Sequence, residues 1–166
     1  MDKYSLSGNE FERIYEQYID MVYRICYMLL MSCAEAEDAA QNVFIKLMNA
    51  KNKPTGEEHL KAWLIVSAKN ECKNTLKHWW RSKRVALEDI KEQGEYMKES
   101  ENEVSRSVSQ LPEKYRLPVY LHYYEGYSTD EIAKMLDVNA STLRTRLVQA
   151  RKLLKLILEK EGLGNV

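Results

Sequence analysis

The chain has 166 residues, enough for one medium domain or two small ones, and its 25 basic and 25 acidic side chains give a formal net charge of zero. Cys26, Cys33 and Cys72 form no Cys-x-x-Cys pair, and His59, His78 and His122 are scattered, so reduced core cysteines are expected and no metal site or cofactor. The run MVYRICYMLLMSC is too short to span a bilayer and is interrupted by Arg24; with no signal peptide at the start, a soluble, cytoplasmic protein without membrane insertion is expected.

The neutral average hides a segmented charge. Residues 1–60 carry 6 basic and 10 acidic side chains, residues 61–87 carry 7 and 1, residues 88–103 carry 2 and 7, and residues 104–166 carry 10 and 7. Nearly every periodic stretch has the helical period, and alternating strand patterns are absent, so the fold is expected to be all-α. The acidic stretch from about Ala86 to Ser105 is poor in large apolar residues and reads as a flexible linker. The expected organisation is a helical domain over 1–86, a linker over 87–104 and a smaller helical domain over 105–166.

The first domain is expected to hold four helices. Phe11, Tyr15, Tyr18, Val22 and Ile25 mark the first by their spacing. Ser32 and Glu35 have the spacing of a capping box and open the second, which continues through Asp38, Val43, Phe44 and Leu47. Cys26 and Cys33, seven residues apart, have the spacing to share one helix face. Pro54 and Gly56 mark the loop Lys51–Glu58.

A long helix then runs from about His59 to Arg81. Ile65, Ala68, Cys72, Leu76 and Trp79 form its buried stripe, and Lys69, Lys73, Lys77 and Arg81 recur every four residues beside it. Asn70 and Asn74 lie on the same side, and Trp79, Trp80, Arg81, Lys83 and Arg84 close the segment with a basic and aromatic cluster. Phosphates attract such a ladder, Asn can bond a base edge, and aromatic rings can stack on unpaired bases. A solvated lysine face is the plainer alternative, and core packing equally explains one of the tryptophans.

In the second domain Pro112 suits a helix start, Gly126 a helix stop, and Pro118 should bend the helix that contains it. Tyr115, Leu117, Val119, Leu121 and Tyr123 supply apolar packing material. The segment YSTDEIAKMLDVNASTLRTRLVQARKLL, residues 127–154, reads as a helix-turn-helix. Ser128 or Thr129 caps its first helix, Asp137 to Ala140 make the turn, and Ser141 is expected to cap the second helix. Leu143, Leu147, Ala150 and Leu154 share one stripe about 60° wide, which turns Arg144, Thr145, Val148, Gln149, Lys152 and Lys155 outward. Such a face suits the major groove, though an ordinary amphipathic helical hairpin has the same pattern.

These segments together resemble an extracytoplasmic-function sigma factor, the compact class of bacterial transcription initiation factor. AEAEDAAQNVFIKLM (34–48) is similar to the family's polymerase-docking segment, HLKAWLIVSAKNECKNTLKHWWRSKR (59–84) to its promoter-opening helix, and residues 111–154 to its helix-turn-helix domain. The resemblance implies that Asp38, Gln41 and Asn42 face the beta-prime clamp helices of core RNA polymerase. It implies that Asn70, Lys73, Asn74 and Lys77 act at the minus-ten element, where capture of an unstacked base couples recognition to melting. Arg144, Thr145, Val148 and Gln149 match the minus-thirty-five recognition positions, with Arg144 suited to guanine, Gln149 to adenine and Val148 to a thymine methyl. Arg146, Arg151 and Lys152 are placed for phosphates. The implied partners are core polymerase, promoter DNA and an anti-sigma factor. A stand-alone helix-turn-helix regulator and a helical adaptor binding only protein are the alternatives. No nucleophile-base pair, phosphate-cradling loop or metal-ligand spacing points to an enzyme.

Overall fold

A computed structural model describes residues 6–82, 103–160 and 162. The chain divides into two compact units, Met1–Gly94 and Glu95–Val166. Every regular element among the described residues is helical.

The described residues of the first unit form α1 (Gly8–Leu30), α2 (Cys33–Asn49) and α3 (Glu57–Arg81), each packed against the other two. Ser7 opens α1 with both halves of a capping box: its hydroxyl accepts from the Glu10 N–H at 3.2 Å and its own N–H donates to the Glu10 carboxylate at 3.4 Å. Met31 ends α1 by turning left-handed, with φ 53°, and its N–H returns to Tyr27 O at 2.7 Å. Ser32 then caps α2, accepting from the Glu35 N–H at 3.3 Å, the forward half of the expected box.

That break at Met31 corrects one expectation. Cys26 lies on α1 and Cys33 on α2, so they share no helix face. Cys26 and Cys72 are buried and unbridged, and Cys72 Sγ lies 4.0 Å from Cys26 O. Cys33 is half-buried beside Tyr23, whose hydroxyl pKa is raised by burial and by its hydrogen bond with Cys33.

Tyr18, Val22, Ile25, Ala36, Ala40, Val43, Leu47, Leu64, Ile65, Ala68 and Cys72 form the core of this unit. Phe11 and Tyr15 sit at its edge and meet Phe44 edge-on, with ring centroids 6.3 and 4.9 Å away. Leu76 and Trp79, expected in the buried stripe of α3, are only half-buried, because the α3 core ends at Cys72. Lys53 ties the α2–α3 loop down by donating to Leu47 O at 3.0 Å and Met48 O at 2.9 Å, which satisfies carbonyls at the end of α2. Three helices, not the expected four, occupy the described part of this unit. The expected linker 87–104 lies outside the described residues up to 102.

In the second unit, α4 (Glu103–Ser109) starts within the last positions assigned to the linker. It is followed by α5 (Glu113–Val119), a π-turn (Tyr120–Tyr124), α6 (Thr129–Leu136) and α7 (Ala140–Lys160). Val108, Leu111, Tyr115, Leu117, Val119, Tyr120, Leu121, Ile132, Leu143, Leu147 and Ala150 fill its core, and α7 packs on α4, α5 and α6. Pro118 lies inside α5, and the widened turn begins two residues beyond it. Tyr120, where the widened turn begins, is buried, whereas Tyr123 within it is 49% exposed, although Tyr123 had the look of packing material. Gly126, with φ 76°, supplies the left-handed stop after it. Arg116 is half-buried against Leu111 O, to which its Nε donates at 2.7 Å; burial lowers its pKa, and the nearby Glu113 charge opposes the shift.

Candidate nucleic-acid interface

The helix-turn-helix is built by three local devices. Ser128 caps α6, accepting from the Glu131 N–H at 3.2 Å, with Asp130 and Glu131 in the positive first turn. Asp137 adopts φ 54° and ψ 50°, and the Val138 N–H reaches back to Ala133 O at 3.0 Å. Aspartate tolerates this left-handed corner better than most residues, so the turn forms without glycine. Asn139, not Ser141, caps α7: its carboxamide oxygen accepts from both the backbone N–H and the hydroxyl of Ser141 at 2.9 Å. The expected cap is two positions late because the helix starts at Ala140, which makes Ser141 a donor to the cap.

Leu143, Leu147 and Ala150 are buried against the rest of the unit and Leu154 is half-buried. That placement leaves Arg144, Thr145, Val148 and Gln149 exposed together on α7. Three of the four have local partners. Arg144 Nη1 stands 4.0 Å from Asp130 Oδ1 on α6, with both side chains largely in solvent. The Thr145 hydroxyl donates to Ser141 O at 3.0 Å, and Gln149 Oε1 accepts from the Tyr115 hydroxyl at 2.6 Å. Val148 presents a bare apolar surface at 42% exposure. Arg151 and Lys152 are exposed at the edge of this face, whereas Arg146 is half-buried.

In the first unit Asn70, Lys73, Asn74 and Lys77 are all exposed on α3. The two neighbouring tryptophans divide: Trp79 is half-buried and Trp80 is 83% exposed, an open aromatic surface at the basic end of the helix. The opposite edge of α3 carries Glu71, the one acid between residues 61 and 87. It accepts a 3.1 Å hydrogen bond from Asn42 Nδ2 and pairs with Lys46 Nζ at 2.6 Å, so it belongs to the seam between α2 and α3.

Asp38 and Gln41 are exposed on α2, with Ile45 and Met48 exposed at 51% and 56%. Their spacing of three, four and three residues puts these four side chains on one stripe about 80° wide. Asn42 borders the stripe but is already bonded to Glu71. Ile45 and Met48 were missed as functional candidates because apolar residues at helical spacing read as core. The spacing from Asp38 and Gln41, taken together with the separate core stripe Ala36, Ala40, Val43 and Leu47, contained the signal.

Among the described residues no cluster of His, Cys, Asp or Glu is arranged to hold a metal, and no helix is long and apolar enough to cross a membrane.

Comparison with known proteins places both units. Residues 14–83 match Sigma-70 region 2 and residues 101–154 match Sigma-70, region 4. The chain is similar to the ECF RNA polymerase sigma factor SigW of Bacillus subtilis, at 27% identity over 162 residues and 87% of each chain. It is also similar to the RNA polymerase sigma-H factor of Pseudomonas aeruginosa, at 28% identity over 161 residues, covering 86% of this chain and 82% of that one. In fold it resembles the sigma factor RpoE, solved with the anti-sigma factor NepR from Bartonella quintana, with a TM-score of 0.68 at 18% identity, covering 91% of this chain and 98% of the other. Two sigma regions in this order, on the two units that carry the exposed faces, assign the chain: it belongs to the extracytoplasmic-function sigma factors.

Proposed function

We propose that the two units divide the work of promoter recognition, with residues 1–86 docking on core RNA polymerase and acting at the minus-ten element, and residues 105–166 reading the minus-thirty-five element. The protein is a transcription initiation factor that directs polymerase to promoters. Asp38, Gln41 and Asn42 on α2, extended by Ile45 and Met48, form the polymerase-facing stripe. Asn70 and Asn74 contact a base of the minus-ten element while Lys73 and Lys77 hold its backbone. Arg144, Thr145, Val148 and Gln149 enter the major groove, and Arg146, Arg151 and Lys152 engage phosphates.

The observation that carries this reading is the joint exposure of Arg144, Thr145, Val148 and Gln149 on the second helix of a helix-turn-helix. A stand-alone regulator needs only that unit and leaves the region 2 match unexplained. The protein has no catalytic centre of its own and works in the cytoplasm, where its polymerase acts. The similar sigma factor RpoE has been solved in complex with the anti-sigma factor NepR, and an inhibitor of that kind is proposed here.

The test is run-off transcription from a promoter library with bacterial core polymerase, with and without the protein. New starts sharing two spaced upstream elements are expected. Core binding without new starts from any promoter would favour an adaptor. DNA binding without core binding would favour a stand-alone regulator.

A further inference from the structure

We infer that Tyr115 is a positioning residue for base reading: its hydroxyl fixes the Gln149 carboxamide and thereby sets the base preference at one position of the upstream promoter element. The inference rests on the assignment of Gln149 to base reading. Tyr115 belongs to α5, outside the helix-turn-helix, yet its hydroxyl donates to Gln149 Oε1 at 2.6 Å. The ring is 6% exposed and Lys114 Nζ lies 5.0 Å from its centroid, so the phenol is a fixed post rather than a mobile side chain.

Gln149 needs such a post. It is exposed on α7, and a free glutamine there samples several rotamers that binding would have to freeze. The tyrosine proton selects the carboxamide oxygen and holds it, so the amide is ordered before DNA arrives. The oxygen has two lone pairs, and the hydroxyl uses one. What remains is one acceptor and two N–H donors, the set that matches adenine N6–H and N7 in the major groove. The phenol also polarises the carboxamide, which strengthens its N–H groups as donors towards N7. Arg144, by comparison, approaches an exposed carboxylate among the described residues at 4.0 Å.

The experiment is selection of promoter fragments, randomised across the minus-thirty-five element, by polymerase carrying the full-length chain. Wild type, Tyr115→Phe and Gln149→Ala are compared, with thermal melting and core affinity measured for each. Gln149→Ala is expected to reduce the preference at one position about tenfold, the weight of one good base contact. Tyr115→Phe is expected to relax that same position about threefold, the weight of one net hydrogen bond, and to leave the other positions unchanged. If Gln149→Ala changes one position and Tyr115→Phe leaves it at wild type, the positioning role is wrong while base reading by Gln149 stands. If Gln149→Ala alters no position, base reading fails and the positioning role with it. A Tyr115→Phe chain that melts earlier and binds all fragments equally less well would make the bond merely structural, and would overturn the inference. Gln149→Glu supplies a further readout, since it keeps an acceptor for Tyr115 but removes the donors. Its preference should move to cytosine, and retention of a purine there counts against the geometry.

Discussion

Asn42 on α2 donates a 3.1 Å hydrogen bond to Glu71 on α3, joining the helix assigned to polymerase docking to the helix assigned to the minus-ten element. Lys46 reaches the same carboxylate at 2.6 Å, and the Glu71 side chain is only 13% exposed. The lone acid of the basic segment is therefore a tie between two helices. An anion held there also keeps Lys46 directed towards the seam.

Removing that acceptor should loosen the first unit. Glu71→Ala leaves Lys46 and Asn42 without their shared partner, and the expected loss is about 1 kcal/mol, held down because Lys46 is half in solvent. For a unit of this size that corresponds to about 4–8 °C in melting temperature. All three tryptophans, Trp63, Trp79 and Trp80, lie on α3, so tryptophan fluorescence in urea follows this unit alone. An unchanged midpoint would show that the tie contributes nothing to stability.

The stripe on α2 makes a separate prediction about assembly. Ile45 is 51% exposed and Met48 56%, so Ile45→Glu or Met48→Glu should change stability by less than about 0.5 kcal/mol. Each should weaken core polymerase binding about tenfold or more if these side chains are buried at the docking interface. Anisotropy titration of the labelled full chain with core polymerase measures the effect. Wild-type affinity in both variants would remove Ile45 and Met48 from the docking surface.

The helix-turn-helix was legible because its signals are local. Leu143, Leu147 and Ala150 have the period of a helix face, and the same wheel assigned the exposed side of α7. The cap at Asn139 was misplaced by two residues because Ser141 is also a good capping residue and only the backbone decides between them. Contacts between distant positions were not legible. Neither the Tyr115–Gln149 bond nor the Asn42–Glu71 bond leaves a periodic trace, since each depends on how two helices pack. Tyr123 failed for a related reason, because a π-turn shifts every side chain after it relative to an ideal helix.

Asp130 and Arg144 offer a test of DNA electrostatics. Their charged atoms are 4.0 Å apart, with side chains 78% and 59% exposed, a geometry that contributes little to stability. Its influence would lie in the field at the face proposed for DNA. Asp130→Asn removes a negative charge next to Arg144 and should strengthen binding to all sequences about two- to fivefold at low salt, fading as salt rises. Arg144→Ala should instead cost about 1–3 kcal/mol at the single position it is proposed to read, leaving core polymerase affinity intact. Because Asp130 acts partly through Arg144, the double variant should show less than the sum of the two effects. Strict additivity across the salt series would mean the two side chains act independently.

Asp137 gives the last prediction, and it concerns stability rather than recognition. Its φ of 54° places a residue with a Cβ in the left-handed region at the tightest point of the helix-turn-helix. Glycine adopts that conformation without steric penalty but loses more freedom on folding, and the two effects partly cancel. Relief of the left-handed strain should be the larger, so Asp137→Gly is expected to stabilise the second unit by about 0.5–1 kcal/mol. The described tryptophans all lie in the other unit, so far-UV circular dichroism of the full chain, or tyrosine fluorescence, is the appropriate probe. A higher unfolding midpoint with unchanged promoter selection would show that aspartate is tolerated in the turn at a cost in stability. A lower midpoint would show that the Asp137 side chain stabilises the corner by more than its backbone strain.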